Sequence, residues 1–383
     1  MSKVKLDEVA IEHKETCKGS KDGYPIVGLE HLVPEEVTLT AWDEGSDNTF
    51  TKMFRKGNVL FGRRRAYLKK AAVAPFDGIC SGDITVIEAI PDRILPELLP
   101  FIIQNDELFD FAVGKSAGSL SPRVQWEHLK NYEFELPDMD KQRELAELLW
   151  AMDATKKSYQ KLIAAMDELV KSQFMEQFSL SQAESNGWSI VPVSSVVIKP
   201  LNGEWGQEDT DGTGVKVLRT TNFTDSGFID YSEVVRRSIE LKKVEAKALR
   251  DGDVLIEKSG GSDTKPVGRV VFYQETSENF LFNNFTALLR PNTPKLNSRF
   301  LFTFLFVTYW NGGTKLYENK TTGIHNLKLA DYLDNTMIPI PPIEDQEVFA
   351  AFVEQSDKSK FELEQALSEL TATYKRIIAE NLG

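Results

Sequence analysis

One passage of the sequence occurs twice. The segment FELPDMDKQRELAELLWAMD, which begins at Phe134, returns as IPIPPIEDQEVFAAFVEQSD from Ile338. Gln142 aligns with Gln346 at an offset of 204 residues, and RKGNVL and KSAG in the first half have the counterparts RDGDVL and KTTG in the second, in the same order. Two copies of this size predict two similar domains, because solenoids repeat shorter units several times.

Each copy is predicted to contain a mixed part and a helical part. The mixed parts hold short β-rich runs, such as DITVIEAI from Asp83 and GRVVFYQ from Gly268, and helical stretches such as 299–308. The helical parts lack helix breakers, since residues 138–186 and 343–382 contain neither Pro nor Gly.

Both helical parts carry a stripe in which the spacing alternates between four and three residues. The stripe consists of Tyr159, Ile163, Met166, Val170 and Gln173 in the first copy, and of Leu363, Leu367, Leu370, Tyr374 and Ile377 in the second. This spacing is typical of a coiled-coil seam, and it predicts that the two helices pair antiparallel within the chain. The alternative is that each stripe docks on its own domain. A paired helix of ~38 residues would span ~57 Å and fix the distance between two sites, as a reader of duplex DNA requires.

The charge of the chain gives two opposing indications. The net charge is −13, which argues against a nucleic-acid partner. However, residues 52–70 carry eight Lys and Arg side chains and no acid. This run is either a solvated basic loop or a local DNA-binding surface.

Several function classes lack their sequence signatures. No apolar run approaches the ~20 residues of a membrane helix, the start lacks a signal-peptide pattern, and Cys17 and Cys80 form no CxxC, so a cytoplasmic protein is predicted. The four histidines show no metal-ligand spacing. There is also no Asn/Asp-Pro-Pro-aromatic tetrapeptide to hold a flipped adenine and no Gly-rich cofactor loop. We therefore predict no catalytic residue and no metal site.

The chain resembles the specificity subunits of Type I restriction-modification systems over essentially its whole length. The resemblance is strongest in IPIPPIEDQEVFAAF from Ile338, in the segment GEWGQ to GVKVLRTTNF over residues 203–223, and in DGDVLIEKSGGSDTKPVGRVVFY from Asp251. The first half departs more, because GRRRAYLKKAAVAPFDGICSGD parallels the second half only loosely. Such divergence is expected if the two domains read different half-sites.

The resemblance implies an α+β fold in which two mixed α/β target-recognition domains are separated by two long helices. The helices would form an intramolecular antiparallel coiled coil, with pseudo-two-fold symmetry relating the tandem repeats. The implied division is a first target-recognition domain at 1–138, a central spacer helix at 139–180, a second target-recognition domain at 181–342 and a C-terminal spacer helix at 343–383.

The resemblance also implies a non-catalytic DNA-binding subunit that recognises a bipartite target. Its partners would be double-stranded DNA, two modification subunits that methylate adenine, and restriction subunits, with no membrane involved. S-adenosylmethionine would bind the modification subunits, so no cofactor is expected on this chain. The rival interpretation is a scaffold without DNA, whose coiled coil would hold protein partners.

Candidate DNA contacts are Lys, Arg, hydroxyl and Gly residues on loops, since these groups bind phosphates or base edges. In the first domain they are Arg63, Arg64, Arg65, Tyr67, Lys69, Lys115, Ser116, Ser119 and Arg123. In the second domain they are Arg219, Thr220, Thr221, Asn222, Lys258, Ser259, Gly260, Gly261, Ser262, Lys265, Arg269, Lys320, Thr321, Thr322 and His325. The last four are expected before a helix, where hydroxyls and N–H groups suit phosphate. The alternatives are a simple hairpin loop, a capped turn and N-capping by Thr.

Overall fold

The structure is a computed structural model of the chain, and it describes residues 2–45, 48–274, 278–321 and 324–383. The chain divides into two compact units. Unit 1 comprises Met1–Lys161 together with Leu363–Gly383, and unit 2 comprises Leu162–Glu362. Each unit thus includes part of both long helices, whereas the division predicted from the sequence treats the helices as separate segments.

The described residues of unit 1 form an α+β unit with three small sheets and a 3₁₀ turn at Ala66–Leu68. Its elements in chain order are β1 (Ser2–Lys5), α1 (Leu6–Val9), β2 (Ala10–Glu12), β3 (Ile26–Val27), β4 (Lys52–Phe54), β5 (Val59–Gly62), β6 (Ala71–Val73), β7 (Gly78–Cys80), β8 (Ile84–Ala89), α2 (Leu99–Ile103), α3 (Asp106–Gly114), α4 (Trp126–Leu129), β9 (Glu133–Leu136) and α5 (Met139–Phe178). Strands β1 and β9 pair antiparallel, β2-β8-β5-β6 form an antiparallel sheet, and β3-β7-β4 form a sheet in which β3 and β7 are parallel.

Unit 2 repeats much of this topology and adds to it. Its elements are α6 (Leu180–Asn186), β10 (Ser189–Pro192), α7 (Val193–Val196), β11 (Leu201–Asn202), β12 (Gln207–Glu208), β13 (Val215–Leu218), β14 (Val235–Ser238), α8 (Leu241–Lys247), β15 (Val254–Glu257), β16 (Ser259–Gly261), β17 (Val270–Phe272), β18 (Phe280–Phe282), β19 (Thr286–Leu289), α9 (Ser298–Trp310), β20 (Glu318–Thr321), β21 (Ile324–Leu327), α10 (Leu329–Asn335), β22 (Met337–Ile340) and α11 (Ile343–Leu382), with 3₁₀ turns at Thr220–Asn222 and Lys315–Tyr317.

The sheets of unit 2 confirm the repeat that the sequence predicts. The antiparallel pair β10-β22, the sheet β11-β19-β15-β17 and the parallel pairing of β13 with β18 correspond to β1-β9, β2-β8-β5-β6 and the β3-β7 pairing of unit 1. Strands β12 and β14 extend the second sheet, and β16-β21-β20 form a further one. The α+β fold class is therefore confirmed.

The motifs RKGNVL and RDGDVL form the same turn before a central strand. Gly57 and Gly252 have φ values of 91° and 83°, a left-handed conformation that glycine adopts without strain. The side chain of the next residue closes the turn. Asn58 Oδ1 and Asp253 Oδ2 each accept a hydrogen bond from the backbone N–H three residues earlier, at 2.8 and 2.7 Å. The apolar residues that follow form β5 and β15, which are buried throughout.

The contacts of Gln142 explain why the passage that begins at Phe134 carries a glutamine. Its side chain is only 2% exposed. The Nε2 group donates to the Pro137 carbonyl at 2.9 Å, and Oε1 accepts from the Leu95 backbone N–H at 2.8 Å. The amide thus fastens the start of α5 to the loop before α2.

Gln346 does the same in unit 2. It is fully buried. Its Nε2 group donates to the carbonyls of Pro341 and Lys295, both at 2.8 Å, and its Oε1 accepts from the Asn297 backbone N–H at 2.9 Å. Asn297 is itself the N-cap of α9, because its side chain accepts from the first N–H groups of that helix. The glutamine of the repeated passage therefore anchors the start of each long helix to the neighbouring loop of the same unit.

The two long helices pair antiparallel in unit 2, as the stripes predict. Lys360 of α11 is 4% exposed, and its Nζ lies 2.6 and 2.8 Å from the carboxylate oxygens of Asp167 on α5. The rings of Phe174 and Phe349 lie 5.5 Å apart, centroid to centroid. Position rises from 167 to 174 along α5 while its contacts fall from 360 to 349 along α11, so the helices run in opposite directions.

The same helices contribute to the core of unit 1. Leu145 and Leu149 of α5 and Ile378 and Leu382 of α11 lie in one buried cluster with β5, α2 and α3. All ten stripe positions are half-buried between mostly exposed neighbours.

Helix α5 ends at Phe178, although no Pro or Gly occurs before Gly187. Ser179 is extended, with φ of −65° and ψ of 160°, and precedes α6. Phe178 is 3% exposed and packs edge-on against the rings of Phe300 and Phe349. The helix thus ends where this ring packs into the core, and the positions of Pro and Gly in the sequence do not predict this end.

Candidate DNA interface

Equivalent corners follow the central strands of the two units. In unit 1 the corner begins at Arg63, directly after β5. Its backbone N–H donates to the Asp83 carbonyl at 3.0 Å, and its carbonyl accepts from the Val124 N–H at 3.0 Å. The backbone of Arg63 is thus fixed between two other segments.

In unit 2 the corner begins at Lys258, directly after β15. Its N–H donates to the Phe285 carbonyl at 2.7 Å, and its carbonyl accepts from the Leu327 N–H at 2.8 Å. The pattern matches that of Arg63, so the two cations occupy equivalent positions in the repeat.

The structure brings the basic run of unit 1 next to KSAGSLSPR. Arg123 binds the Asp83 carboxylate with two hydrogen bonds, at 2.7 and 3.2 Å, and Nη1 of Arg64 lies 3.5 Å from the same carboxylate. Arg64 Nε also donates to Ser121 Oγ at 2.6 Å. The hydrogen bond from Arg123 is the main reason that the pKa of Asp83 is lowered, with charges of neighbouring arginines adding to it. An open groove beside this cluster is lined by Lys14, Lys52, Arg63, Ser81, Asp83 and Arg123, with Glu12 and Glu15 also at its wall.

Four further candidates of unit 1 are exposed. Arg65 has a left-handed φ of 54°, and Tyr67 is 54% exposed. Ser119 and Lys115 are also exposed, and the Lys115 ammonium lies 5.7 Å from the ring centroid of Phe111. These side chains are available to a partner.

The remaining two candidates of unit 1 have partners within the unit. Lys69 Nζ lies 2.6 Å from the Asp106 carboxylate. Ser116 Oγ donates to the Ala112 carbonyl at 2.8 Å, which is a bond back onto the preceding helix.

The segment Arg219–Asn222 forms a tight turn in unit 2. Asn222 is 3% exposed; its Oδ1 accepts from the Arg219 N–H at 2.9 Å, and its Nδ2 donates to the carbonyls of Asp230 and Glu233 at 2.9 and 3.1 Å. Asn222 therefore shapes the turn and is not placed to contact a base. Thr221 is exposed and Thr220 half-buried, so the turn presents a hydroxyl.

Arg269 binds backbone carbonyls of the same turn. Its guanidinium forms two hydrogen bonds of 3.0 Å with the Glu257 carboxylate, which is 1% exposed. It also donates to the carbonyls of Phe223 and Thr220 at 3.1 and 3.2 Å. With its side chain 17% exposed and bonded on several sides, Arg269 holds the turn in place and is not available to contact DNA.

The segment Ser259–Gly261 is a strand, β16, and not a plain hairpin loop. It pairs with β21, with Gly261 opposite His325. A Cβ on Gly261 would lie 2.5 Å from the Val267 backbone nitrogen, so close packing explains this glycine. Gly260 is exposed, with φ of 129°, and so is Ser262, whose Oγ accepts from the Lys265 N–H at 3.1 Å.

KTTGIHN precedes the helix α10, as expected, but its described residues lie in strands and do not form the start of that helix. Lys320 lies in β20 and His325 in β21, opposite each other, and α10 begins only at Leu329. Buried and less buried residues alternate along β21, which is the period of a strand. The side chain of His325 is 6% exposed and bonds to Glu318 at 3.1 Å, so His325 is also not available to contact DNA. Thr322 and the side chain of Thr321 lie outside the described residues.

The exposed cations of this sheet region bind carboxylates. Lys320 Nζ lies 2.5 Å from Asp263 and Lys265 Nζ lies 2.7 Å from Asp225. The pKa of Lys320 is raised mainly by its hydrogen bond to Asp263.

One cluster in the described part of the chain has a metal-like set of side chains. Ligand atoms of Glu30, His31 and Asp43 lie within 4.8 Å of one another. However, His31 Nδ1 accepts a hydrogen bond from the Gly28 N–H at 2.9 Å, so in the neutral ring Nε2 carries the proton and faces Asp43 at 3.6 Å. The imidazole therefore has no free lone pair for a metal.

Within the described residues, no helix is both long enough and apolar enough to cross a membrane.

Two side chains at the corners are absent from the sequence-based candidates. Gln125 binds Arg63, and Asn202 binds Lys258. Each lies more than 50 residues from its partner, so no local pattern in one sequence indicates the pairing.

Comparison with known proteins identifies the repeated unit. The family model described as "Type I restriction modification DNA specificity domain" matches residues 1–166 and 210–371. The chain belongs to this family. As a specificity-domain protein, it has the DNA sequence-recognition fold of Type I restriction-modification systems.

Solved structures share the fold of this specificity-domain protein. A chain from the structure described as "Structural basis underlying complex assembly and conformational transition of the type I R-M system" is 22% identical, with a TM-score of 0.59 over 99% of this chain and 97% of the other. The Type I restriction-modification system S subunit from M. genitalium is 13% identical, with a TM-score of 0.58 over 98% and 94% of the two chains.

Proposed function

We propose that this chain is the subunit of a Type I restriction-modification complex that recognises a bipartite DNA target, with each unit reading one half. The observation that carries the proposal is that the family match spans both copies of the repeat, while the corners at equivalent positions carry different side chains. One chain thus contains two related readers with different chemistry.

The difference between the corners supports different half-sites. The corner of unit 1 reads Arg-Arg-Arg at 63–65, and that of unit 2 reads Lys-Ser-Gly at 258–260. Each base pair presents its own pattern of donors and acceptors in the major groove, so different side chains select different bases. The net charge of −13 does not oppose this role, because the cations of unit 1 cluster beside one groove.

The chain would act without catalytic groups of its own. We propose that two modification subunits supply adenine methylation with S-adenosylmethionine, that restriction subunits join the complex, and that the complex acts in the cytoplasm. The lack of a tetrapeptide for a flipped adenine in the sequence supports this division of labour. The solved relative from a type I R-M system comes from a study of complex assembly, which is consistent with such partners.

A domain exchange tests this proposal. Residues 181–342 are replaced by the equivalent segment of another family member, and the chimera is expressed with its modification subunit in cells whose methylated adenines are then sequenced. One half of a split motif should change and the other should remain. A motif that changes in both halves, or a wild-type complex without a split motif, would contradict the proposal.

Binding of the complex to DNA should also depend on salt. Titration with salt, using mixed duplexes, should lower affinity steeply, because Lys and Arg release counterions from phosphates. A complex whose assembly and activity do not depend on DNA would instead support the scaffold interpretation.

A further inference from the structure

We propose that Arg63 and Lys258 are the guanine-contacting residues of the two units, and that Gln125 and Asn202 position them. This inference rests on the proposed function, which it makes specific at the level of side chains. It follows from the partners that the structure gives these two cations.

In unit 1 the partner of Arg63 is a neutral amide. Nη1 of Arg63 donates to Oε1 of Gln125 at 3.0 Å, and Gln125 is exposed. Among the described residues, the Nε–H of Arg63 is buried and lacks a hydrogen-bond partner. The nearby Asp83 carboxylate is already bound by Arg123 and faced by Arg64, so two other guanidinium groups share that acid. Arg63 therefore keeps its charge and most of its donors.

In unit 2 the partner of Lys258 is again a neutral amide. Nζ of Lys258 donates to Oδ1 of Asn202 at 2.6 Å, and Asn202 is exposed at the end of β11. Burial lowers the pKa of Lys258, and the charge of Lys247 lowers it further. Among the described residues, the partner of the Lys258 ammonium is this amide, whereas the ammonium groups of Lys265 and Lys320 face carboxylates.

Three of the other candidate cations differ in this respect. Lys69, Lys265 and Lys320 each place Nζ at 2.5–2.7 Å from a carboxylate. A carboxylate neutralises a cation and occupies one of its donors, so it competes with an anion or a base edge for that cation. An amide oxygen orients the cation but leaves its charge, so Arg63 and Lys258 are held ready to bind.

The donor chemistry selects the base. Arg and Lys carry only donors, and guanine presents two acceptors, O6 and N7, side by side in the major groove. The backbone on both sides of each residue is fixed by hydrogen bonds, which limits the positions that the side chain can reach. Positioning of this kind is needed to read a base, whereas phosphate contact tolerates looser geometry.

The test uses the full chain expressed with its modification subunit, and sequencing of methylated adenines as the readout. In the R63A variant, the preference for guanine at one position of one half-site should fall roughly 5- to 150-fold, with all other positions unchanged. In the K258A variant, the same loss should occur at one position of the other half-site. R93A and K295A are the matched controls, because both side chains are exposed on the equivalent loops that Gln142 and Gln346 fasten; they should leave the motif unchanged.

Two milder pairs of variants guard against loss of folding. R63K and K258R keep the charge and should retain guanine with a changed strength of preference. Q125A and N202A remove exposed amides and should weaken the same guanine preference without lowering the melting temperature. If these amides affected only folding, the melting temperature would fall and the base preference would stay.

Two results would overturn the inference while leaving the proposed function intact. One is a wild-type split motif that R63A and K258A do not alter. The other is a uniform loss of methylation at every sequence, together with a slope of log binding constant against log salt concentration that is smaller by about 1. That pair of results identifies a phosphate contact. A wild-type complex with no split motif would instead refute the proposed function itself.

Discussion

Gln346 allows a direct measurement of what the repeated passage contributes. The side chain is fully buried and makes three hydrogen bonds of 2.8–2.9 Å to backbone groups of two segments. Gln346→Met keeps the length of the side chain and removes all three bonds. At about 1 kcal/mol net per hydrogen bond, unit 2 should lose about 3 kcal/mol of unfolding free energy. Gln142→Met removes two bonds, so unit 1 should lose about 2 kcal/mol.

Native-state hydrogen exchange, read by mass spectrometry, is the appropriate assay, because a chain with two units need not unfold in one step. The amide of Asn297 donates one of the lost bonds, so peptides that contain it should exchange on the order of 100-fold faster in Gln346→Met. Gln355→Met is the control, since that glutamine is exposed and its hydrogen bond to Ser359 Oγ is long, at 3.5 Å. The reasoning fails if Gln346→Met protects this segment as well as wild type does, or if Gln142→Met is the more damaging of the two.

Three further changes test the packing of unit 2. Glu257→Gln removes the buried carboxylate that binds the half-buried Arg269 and leaves Asp225, 3.9 Å away, as the nearby counter-charge, so the unfolding free energy measured in urea should fall by about 2 kcal/mol; equal midpoints would refute the pair. Burial raises the pKa of Asp357 to about 6, above its unfolded value near 4, so its contribution to stability is present at low pH and lost as pH rises through 6. Relative to Asp357→Asn, wild type should gain up to about 3 kcal/mol between pH 7 and pH 4, and parallel pH curves would contradict this. Gly261→Ala places a methyl group 2.5 Å from the Val267 nitrogen, so split-motif methylation should weaken in the unit 2 half; unchanged methylation would show that the strand shifts freely.

Local patterns in the sequence predicted the elements that local chemistry determines. The helix from Met139 follows an Asp138 whose carboxylate caps it, at 2.9 Å from the Lys141 N–H, and the aligned Pro-Pro segment precedes Ile343. The predicted helix at 299–308 corresponds to Ser298–Trp310. Spacing and breaker residues suffice for such elements, because each depends on neighbours within a few turns.

Features that depend on distant partners were not predictable. The strand at Ile324–Leu327 pairs with its neighbour Glu318–Thr321 on one side and with Ser259–Gly261 on the other, and the second pairing spans a long connection that no local pattern in the sequence indicates. Arg269 has the composition of a DNA contact, and its role as a support follows only from a glutamate 12 residues away that is 1% exposed. The roles of cations in particular depend on whether a carboxylate or an amide faces them, which a single sequence does not state.

The composition of unit 1 has a consequence for synthesis on the ribosome. Ile378 and Leu382 complete its core, the Leu382 carbonyl accepts from Asn105, and the Gly383 carbonyl accepts from the backbone of Glu135 at 3.1 Å. All of unit 2 lies earlier in the chain than these residues. Residues 1–161 can therefore make these contacts only after residues 363–383 have been translated, and a chain truncated after residue 362 exposes the part of the unit 1 core that Ile378 and Leu382 cover.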